Sequence, residues 1–242
     1  MTPSPVRSTD DHWRAARALL DGLPGGGLNI AHEAVDRHAS GEVGERVAVR
    51  WRDAHDDVGD VTYRQLAERS NRFANALGTL GVAPGEVVCV LLGRVPELFT
   101  VVLGALKHRA VVCPLFSAYG PEPVAQRIQL ADARVLVTTR SLLRRRVAPV
   151  RASLTSLRTV VVVDDDGSDP SVVGLDALLD AASPTYTIGP TDPETPALLH
   201  FTSGTTGTPK GVVHVHDAVV AHHVTARDVL GLQPGDRYWC TA

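Results

Sequence analysis

The stretch from residue 87 to residue 115 reads VVCVLLGRVPELFTVVLGALKHRAVVCPL. It begins with an apolar run, Val87 to Leu92, continues through a helical pattern, Pro96 to Lys107, and returns to an apolar run, Ala110 to Leu115. Short apolar runs separated by helical patterns are typical of parallel strands, because each crossover helix returns the chain to the start of the next strand. The stretch therefore predicts a strand–helix–strand unit.

The same alternation continues outward in both directions. Toward the N-terminus, Val47 to Trp51 alternates like a strand, and Thr62 begins a helix that runs to about Leu80, with Gln65 placed to complete a capping box. Toward the C-terminus, the predicted strands are Val135 to Thr138 and Thr159 to Val163, and the predicted helices are Pro121 to Ala131, Ser141 to Arg151 and Ser171 to Ala182. We expect the α/β fold class, with a mostly parallel sheet flanked by helices.

The first part of the chain differs from this regular pattern. Residues 1–27 hold one short amphipathic pattern between positions 13 and 20 and end in three glycines. We expect a short helix followed by a flexible stop. The predicted organisation is an N-terminal extension, residues 1–27, and a domain that covers residues 28–242.

Composition narrows the possible partners and location. The chain has 242 residues, 44% of them hydrophobic, and a formal net charge of -3, which gives no reason to expect nucleic acid as a partner. No run reaches the roughly 18 apolar residues of a membrane span, so no membrane partner is expected. Cys89, Cys113 and Cys240 lie far apart in apolar segments, which favours reduced thiols and a cytoplasmic location.

A loop rich in glycine and threonine joins two short apolar segments, Ala197 to Phe201 and Val212 to Val215. Its glycines let backbone N–H groups approach a ligand, its hydroxyls add donors and its lysine adds a cation, so the loop is suited to bind anions. The candidate phosphate-binding residues are Thr202, Ser203, Gly204, Thr205, Thr206, Gly207, Thr208, Lys210 and Gly211.

Lys210 is the candidate catalytic residue of this loop. The 24 basic residues comprise 22 arginines and two lysines, Lys107 and Lys210, so a lysine inside this loop indicates a task for a compact ammonium group. The loop is not a Walker A motif, because Pro209 precedes the lysine and a predicted strand follows it.

The loop closely resembles the signature loop of the adenylate-forming superfamily, which contains acyl-CoA synthetases, non-ribosomal adenylation domains and luciferases. Residues 61–66 and 104–116 resemble two further motifs of that superfamily. Residues 29–38, 211–218 and 236–242 look like the acetate–CoA ligase branch.

The resemblance implies the N-terminal part of the large adenylate-forming domain and an ATP-dependent reaction in two steps. A carboxylate, acetate or another short acyl group, attacks the α-phosphorus of ATP to give acyl-AMP and pyrophosphate, and the thiol of CoA then displaces AMP. ATP, Mg²⁺ and CoA are the implied cofactor and substrates, with Lys210 and the loop amides stabilising the departing pyrophosphate.

In that superfamily the adenine pocket, the acyl pocket and the C-terminal lid lie beyond the position that corresponds to Ala242. We therefore expect a partial AMP-binding domain that is inactive alone, with a complementing C-terminal fragment as a possible partner. Two alternatives stay open: a non-catalytic polyphosphate-binding remnant or interaction fragment, and an adenylating enzyme that loads a carrier-protein thiol.

Two weaker patterns concern charged side chains. Arg140, Arg144 and Arg145 form a basic segment that either binds the phosphates of CoA or is a solvated helical face. The histidines at 214, 216, 222 and 223 lack a clear acidic or cysteine partner, so no metal site is predicted. Arg109 stands where the superfamily usually has glycine, at an expected tight turn from helix to strand.

Overall fold

The computed structural model describes residues 9–53, 55–202 and 208–239 of the chain. The helices are α1 Thr9–Arg17, α2 Ile30–Ala34, α3 Gly41–Gly44, α4 Tyr63–Thr79, α5 Glu97–Lys107, α6 Pro121–Leu130, α7 Arg140–Leu142, α8 Leu175–Ala181 and α9 Ala218–Val224. The strands are β1 Val47–Arg52, β2 Val58–Thr62, β3 Val87–Leu91, β4 Val111–Pro114, β5 Val135–Thr138, β6 Thr159–Val162, β7 Val173–Gly174, β8 Pro196–Thr202 and β9 Lys210–Val215.

Seven of these strands form one sheet in the order β7-β6-β5-β3-β4-β8-β9. Every neighbouring pair from β7 to β8 is parallel, and β9 alone runs antiparallel, to β8. The strands β1 and β2 form a separate antiparallel pair. The predicted α/β fold with a mostly parallel sheet is confirmed.

The sheet is covered on both faces, as parallel sheets usually are. Along β3, Val88 and Val90 face a core shared with α4, α5 and α8, whereas Cys89 and Leu91 face a second core shared with α6. Alternate residues of a strand point to opposite faces, so each central strand contributes to both cores. The uninterrupted apolar runs of the sequence are explained by this double burial.

Two cysteines lie side by side within the second core. Cys89 on β3 is in register with Cys113 on β4, and both are free thiols with no exposed surface. A hydrogen bond with Cys113, together with burial, raises the pKa of the Cys89 thiol well above its ordinary value. The Cys89 thiol is therefore protonated, and both thiols are members of the core; Cys240 lies outside the described residues.

Helix α4 begins as its sequence predicts. The Thr62 hydroxyl accepts a hydrogen bond from the Gln65 amide at 3.2 Å, and the Gln65 side chain accepts one from the Thr62 amide at 2.9 Å. This capping box satisfies two of the backbone donors that a helix start otherwise leaves unpaired.

Helices α4, α5 and α6 all end with the same backbone turn. In each, the residue after the C-cap has positive φ and the next amide bonds back to a carbonyl five residues earlier, for example Ala110 N to Ala105 O at 2.9 Å. The residue with positive φ is Gly81 after α4, Arg109 after α5 and Asp132 after α6. The tight turn expected at Arg109 is therefore present, although the residue is not glycine.

A distant backbone contact accompanies the turn at Arg109. Its guanidinium group donates a hydrogen bond to the Pro190 carbonyl at 3.0 Å, and it packs closely against Gly189. A left-handed conformation is unfavourable for a residue with a Cβ. The contact with residues 189–190 helps to offset that cost and ties the end of α5 to the segment that leads into β8.

The other lysine, Lys107, is completely buried at the end of α5. Its ammonium group pairs with Asp36 at 2.5 Å and donates to the Asn71 side chain at 2.7 Å and the Ala67 carbonyl at 3.2 Å. Burial lowers the pKa of Lys107, and the pairing with Asp36 opposes that change. The lysine therefore joins three helical segments in the interior.

Helix α1 packs against α9, near the other end of the described chain. Ala16 of α1 and Leu28 form a small apolar cluster with Val220 and Val224 of α9. Arg17 of α1 also pairs with Asp217 at 2.5 Å. Among the described helices, none is both long and apolar enough to cross a membrane.

Two of the predicted helices were wrong in part. The segment predicted as one helix from Ser141 to Arg151 is α-helical only in α7, then forms a π-helical turn, Leu143–Val147, and a 3-10 segment, Ala148–Ser153. Pro149 cannot donate a backbone hydrogen bond, which prevents a regular α-helix here. The helix predicted from Ser171 begins at Leu175, because Val173–Gly174 pairs with β6.

The turn at Arg109 gives a stability prediction. We expect the Arg109→Gly variant to be more stable than Arg109→Ala by roughly 1 kcal/mol, because both lose the contact with Pro190 but glycine adopts positive φ without strain. Urea unfolding of the two variants measures this difference. A helix-interior position would show the reverse order, so an alanine variant as stable as the glycine variant would contradict the strain at this turn.

Candidate functional site

The candidate loop is the connection of an antiparallel hairpin. Thr202 at the end of β8 is in register with Lys210 at the start of β9, and Phe201 is in register with Gly211. β8 is also parallel to β4, with Leu198 in register with Val112. The loop therefore leaves the sheet at the carboxyl end of a parallel strand, the edge at which α/β proteins bind their ligands.

The predicted phosphate ligands fall into two groups. Ser203, Gly204, Thr205, Thr206 and Gly207 lie outside the described residues. Thr202, Thr208, Lys210 and Gly211 are described, and all four are exposed at the two ends of the loop.

Lys210 and Thr202 meet at the base of the hairpin. The Thr202 hydroxyl lies 3.5 Å from the Lys210 carbonyl. Among the described residues no acidic side chain forms an ion pair with the Lys210 ammonium group, so its charge is not neutralised there. An exposed cation beside hydroxyl and backbone donors is the arrangement that binds phosphate oxygens.

Gly211 is required by close packing across the hairpin. A Cβ atom at this position would lie 3.0 Å from Leu199 Cδ1 and 3.6 Å from Phe201 Cε1. The first distance is tighter than ordinary van der Waals contact, so a side chain here would require the Leu199 side chain to move by a few tenths of an ångström. The glycine thus has a packing role at the base of the loop in addition to its predicted role in phosphate binding.

An arginine that the sequence reading missed lies behind the hairpin. The Arg127 guanidinium of α6 is centred 4.2 Å from the ring of Tyr119 and 6.0 Å from the ring of Phe201. The sequence spacing of Arg127 could have identified it as core-facing. It lies three residues after Val124 and directly before Ile128, and all three share the inner face of α6. A charged residue at a core-facing helical position is uncommon, so Arg127 is a candidate for a functional role.

The histidines near the loop do not form one cluster. His214 on β9 lies against His200 on β8, with ring centroids 5.4 Å apart. Burial and the neighbouring His214 lower the pKa of His200. No group of three potential metal ligands occurs in residues 9–53, 55–202 and 208–239.

His216 has a different environment, inside the protein. It has no exposed surface, and its Nδ1 atom accepts a hydrogen bond from the Ile30 amide at 3.1 Å. Burial lowers the pKa of His216 to about 4, so the ring is neutral at pH 7. It connects the start of α2 to the turn between β9 and α9.

The three arginines proposed for CoA binding are not equivalent. Arg140 pairs with Asp165 at 3.0 Å and with Asp166 at 2.5 Å, and it donates to the Ser168 hydroxyl at 2.8 Å. Its guanidinium group thus anchors the acidic loop after β6. Arg144 and Arg145 are exposed, and the contacts of Arg145 are to Ser141 in its own helical turn.

The fold and the hairpin define the class of protein. The sequence model of the AMP-binding enzymes matches residues 35–242, and the chain belongs to this family. The resemblance inferred from the loop and the flanking motifs is thereby confirmed.

Its curated relatives include acetyl-CoA synthetases. The chain is 39% identical to the acetyl-CoA synthetase of Bacillus subtilis over 232 residues, which are 95% of this chain and 40% of that protein. It is 35% identical to the acetyl-CoA synthetase of Halorhodospira halophila, over 97% of this chain and 38% of that protein. The chain thus spans about two fifths of the length of these relatives.

Solved structures show the same fold. An acyl-CoA synthetase of Brucella canis matches 98% of this chain and 43% of its own, with a TM-score of 0.84 and 31% identity. The anthranilate CoA ligase AuaEII, solved in complex with anthranoyl-AMP, matches 87% of this chain and 39% of its own, with a TM-score of 0.77 and 26% identity.

The buried His216 gives a pH prediction. Its pKa is lowered in the folded state, so the unfolded chain binds the extra proton, and stability falls as pH drops from about 6.5 toward about 4. Between pH 7 and pH 5 we expect this group to contribute a loss of roughly 1 to 2 kcal/mol. Urea unfolding at the two pH values measures the loss.

The variant His216→Asn removes the titration while keeping an acceptor near Nδ1, so the loss between pH 7 and pH 5 should shrink by about that amount. The matched control is His222→Asn on α9, where the ring is exposed. An unchanged pH dependence in His216→Asn would show that His216 does not titrate as its burial requires.

Proposed function

We propose that this chain provides the ATP-phosphate-binding part of an AMP-forming acyl-CoA ligase that acts on acetate or another short-chain carboxylate. The observation that carries the proposal is the hairpin that places Thr202 opposite Lys210 at the carboxyl edge of the sheet. Membership of the AMP-binding enzymes and the identity to acetyl-CoA synthetases support it.

The proposed reaction begins with transfer of the adenylyl group. An oxygen of the substrate carboxylate attacks the α-phosphorus of ATP, the bond from that phosphorus to the bridging oxygen breaks, and pyrophosphate leaves with the bonding electrons. The carboxylate needs no general base, because it is ionised at pH 7. The main catalytic demand is to stabilise negative charge on the leaving pyrophosphate.

Lys210 and the loop residues meet that demand in the proposal. Lys210 is exposed at the base of the loop, where its carbonyl lies 3.5 Å from the Thr202 hydroxyl, and its ammonium group has no acidic partner among the described residues. A fixed cation and fixed donors at this position stabilise the leaving group without reorganisation of solvent.

Mg²⁺ enters this proposal as part of the substrate Mg·ATP. The loop offers hydroxyl groups, amides and one ammonium group but no carboxylate. This donor set suits phosphate oxygens rather than the metal ion, which keeps water and phosphate ligands. The phosphates of ATP would therefore hold the ion, and the ion and Lys210 would together neutralise the negative charge of those phosphates.

In the second proposed step the thiol of CoA attacks the acyl carbon and AMP leaves, giving the thioester. Arg144 and Arg145 are the candidate ligands for CoA phosphates, because both are exposed and neither is paired with an acidic residue in the described part of the chain. The ion pairs of Arg140 favour a structural role for that residue instead.

A test of Lys210 uses the chain itself. We expect Lys210→Ala to weaken binding of Mg·ATP by about tenfold or more, because one close charge-assisted contact to phosphate is lost. Isothermal titration at two salt concentrations measures the affinity, and the salt dependence should decrease in the variant. The matched control is Arg158→Ala, an exposed cation at the opposite edge of the sheet.

Equal affinity of the wild type and Lys210→Ala would contradict the assigned role. The reaction is tested by acetate-dependent exchange between ATP and pyrophosphate, with the chain co-expressed with the remaining part of a relative. Exchange that requires this partner supports the ligase, and retained Mg·ATP binding without exchange favours a polyphosphate-binding protein. Transfer to a carrier-protein thiol instead of CoA would identify the third alternative.

A separate prediction concerns CoA. We expect the double variant Arg144→Glu/Arg145→Glu to bind CoA about tenfold more weakly, because two exposed cations become anions next to the proposed phosphate site. Binding of CoA and of dephospho-CoA to the chain is compared by titration. Arg158→Glu is the charge-matched control, and unchanged CoA affinity in the double variant would remove these residues from the proposal.

A further inference from the structure

Arg127 carries a buried charge that the proposed reaction leaves unexplained. Its side chain is on the inner face of α6, and the residue is 8% exposed. Its Nη1 atom donates to the Pro123 carbonyl at 3.0 Å, while Nε is buried without a hydrogen-bond partner. Among the described residues, no acidic side chain forms an ion pair with it.

A buried arginine without an acidic partner costs folding free energy that a side chain needed only to fill space would not cost. A buried cation loses its hydration, and an apolar side chain of similar size is generally as stable or more stable at a packed position. The faces of two aromatic rings, Tyr119 and Phe201, supply the main compensation in place of a carboxylate. The positive charge of Arg127 is therefore stabilised by its contacts with the Tyr119 and Phe201 rings.

Phe201 connects this contact to the base of the loop. It directly precedes Thr202 and is in register with Gly211, the residue after Lys210. A Cβ atom at Gly211 would lie 3.6 Å from the Phe201 ring, in ordinary van der Waals contact, so the ring lies next to the start of β9. Phe201 also packs against the core that contains α6, so the position of its ring affects the adjoining ends of β8 and β9.

We propose that Arg127 is a positioning residue for the phosphate-binding hairpin, holding the Phe201 ring through its cation–π contact and so fixing the register of Thr202 and Lys210. The inference rests on the proposed phosphate-binding role of the loop. It assigns Arg127 an effect through Phe201 and no contact with the phosphates themselves.

Hydrogen exchange of the intact chain tests this role directly. We expect Arg127→Met to speed exchange by about tenfold or more at those amides of β8 and β9, around Phe201 and Gly211, that are protected in the wild type. Amides in α6 itself and in β3 and β4 should exchange at nearly the wild-type rate. Arg127→Lys keeps a cation near the rings and should restore a large part of the protection.

A second variant tests the same contact from the other side. Phe201→Leu removes the ring, so it should accelerate the same amides, and the double variant Arg127→Met/Phe201→Leu should be little faster than the stronger single variant. Arg158→Met is the control for loss of an arginine away from the hairpin. If Arg127→Met does not fold, Arg127→Lys and Phe201→Leu alone give the comparison.

Three results would overturn the inference: unchanged exchange at the hairpin, equal acceleration in α6 and the hairpin, or additive effects of the two substitutions. Mg·ATP affinity is measured on the same samples and should fall about tenfold in Arg127→Met. A wild-type chain that does not bind Mg·ATP would contradict the proposed function, whereas the exchange pattern would still decide whether Arg127 positions the hairpin.

Discussion

A parallel sheet must bury both of its faces, and this constraint governs the rest of the chain. Each of the central strands places alternate residues in two separate cores, as Val88 and Cys89 do on β3. The helices α4 and α5 cover one face, and α6 covers the other. Because every strand between β7 and β8 runs the same way, their carboxyl ends meet at one edge, where the candidate loop leaves β8.

Polar side chains fix the positions of segments that this layered core does not determine. Lys107 joins α5 to the helical segments of Asp36 and Asn71, and His216 joins the start of α2 to the end of the hairpin. Arg109 connects the end of α5 to the segment before β8. Each of these side chains joins segments that are far apart in sequence, and the contacts of His216 and Arg109 help to orient β8 and β9 on the sheet.

The sequence predicted the repeated elements well because their signals are local. Apolar runs identified the central strands, the Thr62 and Gln65 pair identified the start of α4, and the hairpin was expected from two apolar segments around the loop. The turn at Arg109 was expected, but its compensating contact could not be foreseen, because that contact is with Pro190, far along the chain. Arg127 was missed for a related reason, since its meaning depends on Phe201, a residue of another element.

Strand β9 has a consequence for the behaviour of the chain in solution. In the described structure it pairs with β8 on one side only, and Val212 and Val213, which point to opposite faces, are 42% and 54% exposed. Unpaired backbone groups beside apolar side chains form a template for intermolecular β-pairing. Among the described strands, the open side of β9 is therefore a place at which a further strand, from this or another polypeptide, would pair.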